Sequence, residues 1–391
     1  MKRKILLLSL FFLLGGCLHP AAGPLHLELG CSGDYSDNIF MNASNVKDYL
    51  AGLQAELNFS QKRFNLYLEA SADIYADNPG YNSFHIEPGI EYLHPLKGRD
   101  ALYLGVGYIL LQYRDLYTDF NNSGPLFQAG IKLYTSSQMF LKAGLHSQSR
   151  NYSNFESFDF FNHSLFAELN RFYKSQTTLR LQAGFNYRYY PHIADSYDFG
   201  AGYNYYHNGA SHGKGNPNMG GHPQSPTAHT MSVSSGYALV GIDQGIGTRL
   251  GLTGEIEFRQ NLRALDPGSA DILIKNAYIL YPLNDDYLWA GLRLMLQFKM
   301  VLFHPLVLSL EARVSYFNKN YPGVLIMDEE GNPVEPLTER ADSLLFSSLK
   351  VSKKFKNWEI FTHLSYRNNH SHDDYFFYKM LTISAGMGYT F

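Results

Sequence analysis

The sequence predicts an all-β chain: a single antiparallel up-and-down β-barrel of about sixteen strands that crosses a membrane. Three observations predict it. Segments of roughly 10 to 14 residues alternate apolar and polar side chains, the connections between them alternate short and long, and aromatic residues gather at segment ends.

Composition excludes the main competitors. The 391 residues include 30 Tyr and 27 Phe, yet charged residues make up only 17%, below the roughly 25% of ordinary globular chains. No window shows apolar residues at helical spacing, and no apolar run reaches the roughly 20 residues of a membrane helix. The one continuous apolar stretch, residues 5–14, follows Lys2, Arg3 and Lys4, the layout of a secretory signal too short to span a bilayer. Residues 1–24 are therefore expected to be a signal peptide and short leader, and residues 25–391 the barrel. Leu14-Gly15-Gly16-Cys17 resembles the lipobox of bacterial lipoproteins, which makes Cys17 a lipidation candidate; ordinary cleavage before Leu25 is the alternative. Cys31 then has no intramolecular partner, so no disulfide framework is expected. Loss of the three leading cations takes the formal charge from -3 to -6, which argues against a nucleic-acid partner.

The alternation is strict. In residues 178–190, Leu179, Leu181, Ala183, Phe185, Tyr187 and Tyr189 share one parity, and Arg180, Gln182, Gly184, Asn186 and Arg188 the other. Phe64, Leu66, Leu68, Ala70 and Ile74 oppose Asn65, Glu69, Ser71 and Asp73. Leu250, Leu252, Ile256 and Phe258 oppose Arg249, Thr253, Glu255, Glu257 and Arg259. Leu288, Ala290, Leu292, Leu294, Leu296 and Phe298 oppose Gly291, Arg293, Gln297 and Lys299. A charge facing lipid near the midplane costs a few kcal/mol, about 2–4 for Lys or Arg, so confinement of charge to one parity assigns lipid and lumen faces. A soluble β-sandwich also alternates, but its strands are shorter and its turns do not alternate in length.

Short connections are expected at residues 61–63, 97–100, 136–138, 174–176, 244–247, 304–305 and 356–357. Long ones are expected at 34–47, 77–82, 115–124, 151–157, 191–229, 263–286, 318–340 and 368–374. Fifteen connections join sixteen strands, with fourteen or eighteen as the alternatives, depending on whether residues 272–283 form a strand of their own. Short turns belong on the periplasmic side, with both termini.

The C-terminal run Ser384-Ala385-Gly386-Met387-Gly388-Tyr389-Thr390-Phe391 resembles the β-signal read by the barrel-assembly machinery, with Ser384, Gly386, Tyr389 and Phe391 at its key positions. Asp34-Tyr35-Ser36-Asp37-Asn38-Ile39-Phe40 and Tyr366-Arg367-Asn368-Asn369-His370-Ser371 resemble segments of porin-like outer-membrane barrels, which also form the barrel part of polysaccharide and surface-lipoprotein export proteins. Those exporters usually carry an N-terminal helical repeat region, and none is expected within these 391 residues. The resemblance implies the bacterial outer membrane as location, with its lipids as partners.

Candidate chemistry is sparse. The loop 191–229 carries His207, His212, His222 and His229 at irregular spacing, which reads as an external loop rather than a metal site. The cluster Asp34, Asp37 and Asn38 reads as a turn that satisfies its own backbone, with a hard-cation site as the alternative. The run 370–374 holds hydrolase residue types, but a catalytic constellation is defined by geometry and not by adjacency. No catalytic, cofactor or metal residues are therefore assigned. The lumen parity carries both signs: Glu69, Asp73, Glu255, Glu257 and Glu311 with Arg180, Arg188, Arg249, Arg259, Arg293, Arg313 and Arg367. A wide barrel can set such charges on facing walls across a water-filled path. The expectation is a non-enzymatic channel for passive or assisted passage of a small polar solute or saccharide; the alternative is a closed structural or surface-interaction barrel, adhesin-like or an export accessory, whose loops bind a partner.

Overall fold

The computed structural model describes residues 25–154, 156–194, 228–264, 288–302, 307–326, 334, 336 and 338–391. Sixteen strands run in order: β1 (Leu25–Ser36), β2 (Asp48–Gln61), β3 (Phe64–Tyr75), β4 (Ser83–Pro95), β5 (Ala101–Tyr113), β6 (Asn122–Ser136), β7 (Met139–Tyr152), β8 (Phe160–Phe172), β9 (Thr177–Ala194), β10 (Ala228–Ile246), β11 (Leu250–Arg263), β12 (Ala290–Leu302), β13 (Leu308–Leu325), β14 (Glu339–Phe355), β15 (Trp358–Ser371) and β16 (Tyr378–Thr390). Each pairs antiparallel with its sequence neighbours, and β1 pairs with β16 to close the barrel. Closure leaves no unpaired strand edge, as a bilayer requires.

The sixteen strands match the count from turn lengths, and the parities hold. Phe258, Leu296 and Ile360 are about half exposed on the outside, while Arg188, Glu257 and Arg259 are buried on the inside. This inversion of the soluble pattern identifies lipid as the outer solvent. One residue departs: Leu288, expected on the lipid face, is buried beside Trp289, because β12 begins only at Ala290 and strand parity does not extend back to it.

Strands outrun the expected loops at the external end. β1 continues through Asp34 to Ser36, β9 through Pro191 to Ala194, and β13 to Leu325. These ends stand above the apolar band, where side chains no longer need to alternate against lipid, so periodicity fades before pairing stops. His229 consequently lies on β10. The rest of the histidine-rich tract, residues 1–24 with Cys17, the 272–283 segment and the turn at 304–305 lie outside the described residues.

An apolar core occupies the loop end of the barrel. Rings follow one another along it: Phe40 with Tyr81, Tyr81 with Tyr117 at 3.8 Å, Tyr117 with Phe120, and Phe120 with Phe158. Trp289, Tyr321, Phe376 and Tyr378 extend it, all buried. Side chains pin the loops down. Asp48, almost fully buried, accepts backbone N–H groups of Ala76 (3.1 Å), Asp77 (2.9 Å) and Asn78 (2.9 Å). Asp48→Ala is expected to lower barrel stability by about 2–3 kcal/mol, because the loop after β3 loses its acceptor; a lower urea midpoint in lipid vesicles checks it.

The closing seam explains one glycine of the C-terminal run. A Cβ at Gly386 would stand 2.6 Å from the Cys31 carbonyl oxygen and 2.6 Å from the Phe361 ring, so the ring of Phe361 on β15 occupies the space a side chain here would need. Gly386→Val is expected to prevent closure of most molecules, read as loss of the fast-migrating folded band in unheated gel electrophoresis. Tyr389 packs against Trp358 (4.6 Å) and Phe391 (4.4 Å) at the opposite end from the loops, and the Phe391 amide donates to the Leu27 carbonyl at 2.9 Å. Ser384 faces the lumen and is buried, level with Asp34 on β1.

Candidate functional site

Charge is segregated around the lumen. Strands β1 to β5 carry eight carboxylates (Glu28, Asp34, Asp48, Glu56, Glu69, Asp73, Glu87 and Glu91) and not one Lys or Arg. Register turns four of them into a ladder: Glu28 lies opposite Glu56, Glu56 opposite Glu69, and Glu69 opposite Glu87. Like charges directly opposite one another on a sheet repel, so this row raises a negative potential along one wall. Tyrosines line it, with the Tyr67 hydroxyl donating to Glu87 (3.2 Å) and the Tyr103 hydroxyl to Glu91 (2.7 Å). Asp73 accepts from Ser83 at 3.5 Å.

The facing wall, half the circumference away on β9 to β12, holds the arginines. Arg180, Gly241 and Glu255 are level on β9, β10 and β11. A Cβ at Gly241 would meet the Arg180 Nε at 3.1 Å, so the missing side chain opens the path by which Arg180 crosses a strand to pair with Glu255. Arg293 then bridges Glu255 (3.2 Å) and its cross-strand neighbour Glu257 (2.8 Å), and Arg259 pairs with Glu257 at 2.7 Å. The result is an alternating chain, Arg180, Glu255, Arg293, Glu257, Arg259. Arg188 stands alongside, stacked 4.1 Å from the Phe160 ring centroid, its Nε donating to Asn162 at 3.2 Å. A cavity of about 550 Å³ opens here, lined by these groups together with His146, Gln148, Gln182 and Asn186.

The other lumen charges expected from the sequence fall elsewhere. Glu311 accepts from Gln297 at 2.7 Å. Arg313 and Arg367 both lie over the Phe346 ring, at 5.9 and 5.3 Å. Arg249 is exposed in the turn between β10 and β11 and not on the strand wall; it precedes Leu250, where β11 begins. The pairing of Arg180 with Glu255 and the bridging by Arg293 require strand register, which single-strand parity does not supply. The acidic sector had a legible signal in five successive strands without a basic residue; Glu28 and Glu56 belong to it.

The polar clusters at the loop end serve the fold. Asp37 Oδ1 accepts the Leu381 amide of β16 at 2.6 Å, tying the loop to the closing strand, and the Asn38 side chain donates to the Asn42 carbonyl at 2.7 Å and to Asn45 Oδ1 at 2.9 Å within the loop after β1. Among the described residues no group of three His, Cys, Asp or Glu side chains is placed to hold a metal. The Ser371 hydroxyl donates to Asp342 at 2.6 Å, and Asp373 accepts the Tyr375 amide at 2.9 Å, capping a single 3-10 turn at Asp374–Phe376.

An even-stranded, closed antiparallel barrel with an apolar exterior, a charged interior and short turns at the end holding Leu25 and Phe391 has the architecture of the porin-like β-barrels of bacterial outer membranes. Solved structures similar in fold include OprB of Pseudomonas putida (TM-score 0.51, 10% identity, 94% of each chain covered) and OccAB1 of Acinetobacter baumannii (TM-score 0.51, 9% identity, 95% of this chain and 98% of that one). A bacterial polysaccharide outer-membrane secretin aligns at TM-score 0.49 and 8% identity, over 93% of this chain and 98% of that one. No family model matches the chain, and no curated protein matches it in sequence.

Proposed function

We propose that the barrel is a channel for passive or assisted passage of small polar solutes or a saccharide, without covalent catalysis or a cofactor. The observation that carries this reading is the segregated lumen: a carboxylate ladder on β2 to β4 faces an arginine-rich wall on β9 to β12 across the barrel. A wall built only to close the interior would pair its charges locally, whereas five consecutive strands here hold none to pair with. Facing walls of opposite sign suit water and dissolved polar molecules between them. The apolar core at the loop end favours the second reading, a closed barrel whose loops bind a partner. Planar bilayer recordings separate the two: stable single-channel current steps are expected, and their persistent absence would overturn the channel. Within the same proposal, Ser384, Gly386, Tyr389 and Phe391 serve as the assembly signal, and residues 1–24 direct export with Cys17 as the lipid attachment point. Mass spectrometry of the mature N-terminus tests the last two assignments.

A further inference from the structure

We infer that the cavity on β9 to β12 is a binding site for an uncharged, hydroxyl-rich solute, and that Glu255 and Glu257 set this choice by occupying the arginines. The inference rests on the channel reading, which gives the solute its route.

The arginines look at first like an anion site. Their geometry says otherwise, because each guanidinium is engaged: Arg180 and Arg293 on Glu255, Arg293 and Arg259 on Glu257, Arg188 on Phe160 and Asn162. Both glutamates are enclosed, with side chains 11% and 6% exposed, and Arg259 is enclosed with them at 6%. An anion that reaches Arg180, Arg293 or Arg259 must either pull a guanidinium off a desolvated carboxylate or lie against that carboxylate, and both are unfavourable. A cation meets the converse problem with the arginines. A hydroxyl group has neither difficulty, since it donates to a carboxylate lone pair and accepts from a guanidinium N–H while the ion pair stays intact. Gln148, Gln182 and Asn186 add amides that also both donate and accept. The volume, about 550 Å³, is in the range of small-molecule sites, about 300–1,000 Å³.

Three probes with one carbon skeleton test this: glucose (neutral), gluconate (anionic) and glucosamine (cationic). Binding to the full-length protein in detergent micelles, followed by saturation-transfer NMR, is expected to favour glucose about tenfold over either charged probe, as like-charge juxtaposition costs that much or more. In Glu255→Gln the order of glucose and gluconate is expected to invert, because Arg180 and Arg293 lose their shared partner; Glu255→Asp keeps the wild-type order. Gluconate binding the wild type as tightly as glucose, or no binding of glucose, would overturn the inference, and this comparison needs no variant to fold. A silent bilayer with selective glucose binding would count against the channel alone.

Discussion

Arg340→Ala is expected to be the most destabilising single substitution at the loop end, by about 3–5 kcal/mol, because it leaves a buried carboxylate without its counter-ion. Arg340 is fully buried, and Asp342 3% exposed. The guanidinium meets both carboxylate oxygens, Nε donating to Oδ1 at 3.0 Å. It stacks 3.4 Å from the Phe376 ring centroid and 4.2 Å from that of Tyr321, so one planar group joins β14, β13 and the last loop. Asp342 also accepts from Asn369 (3.1 Å) and Ser371 (2.6 Å), and Asn369 holds the Phe376 carbonyl at 2.7 Å. Arg340→Lys is expected to recover little, as an ammonium offers neither the fork nor the flat stacking surface. The temperature at which the folded band disappears in gel electrophoresis reads both effects, and an unchanged transition in Arg340→Ala would refute this account of the outer end.

Neutralising the acidic ladder is expected to have the largest effect on conduction. A unit charge about 7 Å from a passing ion in water contributes about 0.6 kcal/mol, close to RT, hence about a threefold change in local ion concentration. Glu69→Gln combined with Glu87→Gln removes two adjacent rungs and is expected to lower the potassium-to-chloride permeability ratio by about threefold or more. The shift is expected to shrink as salt rises from 0.1 M to 1 M, because the screening length falls from about 10 Å to about 3 Å. Reversal potentials in KCl gradients measure it; a ratio that does not move would remove the ladder from the conduction path.

Most of the barrel was legible because a lipid bilayer enforces parity more strictly than any soluble core does. Leu181 and Arg180 could be assigned to opposite faces from their order alone. Legibility ended where that enforcement ends. Above the apolar band β9 continues through Pro191 and β13 through Tyr321, and the packing of Trp289 and Leu288 into the loop-end core follows from tertiary contacts between distant segments. The lumen site was half legible. Arg180, Arg293, Glu255 and Glu257 were assigned to the lumen, yet only the level of β9, β10 and β11 shows that Gly241 lets Arg180 reach Glu255.

In this molecule position along the chain is also bearing around the wall, since every strand neighbours its successor. A stretch of sequence therefore maps to an arc of the lumen, and the acidic arc is one uninterrupted stretch, residues 25–113. Exchange or duplication of a single hairpin would alter one arc's charge while the others keep their composition. The selectivity of such a wall can thus be revised sector by sector, with no need to redesign the interior as a whole.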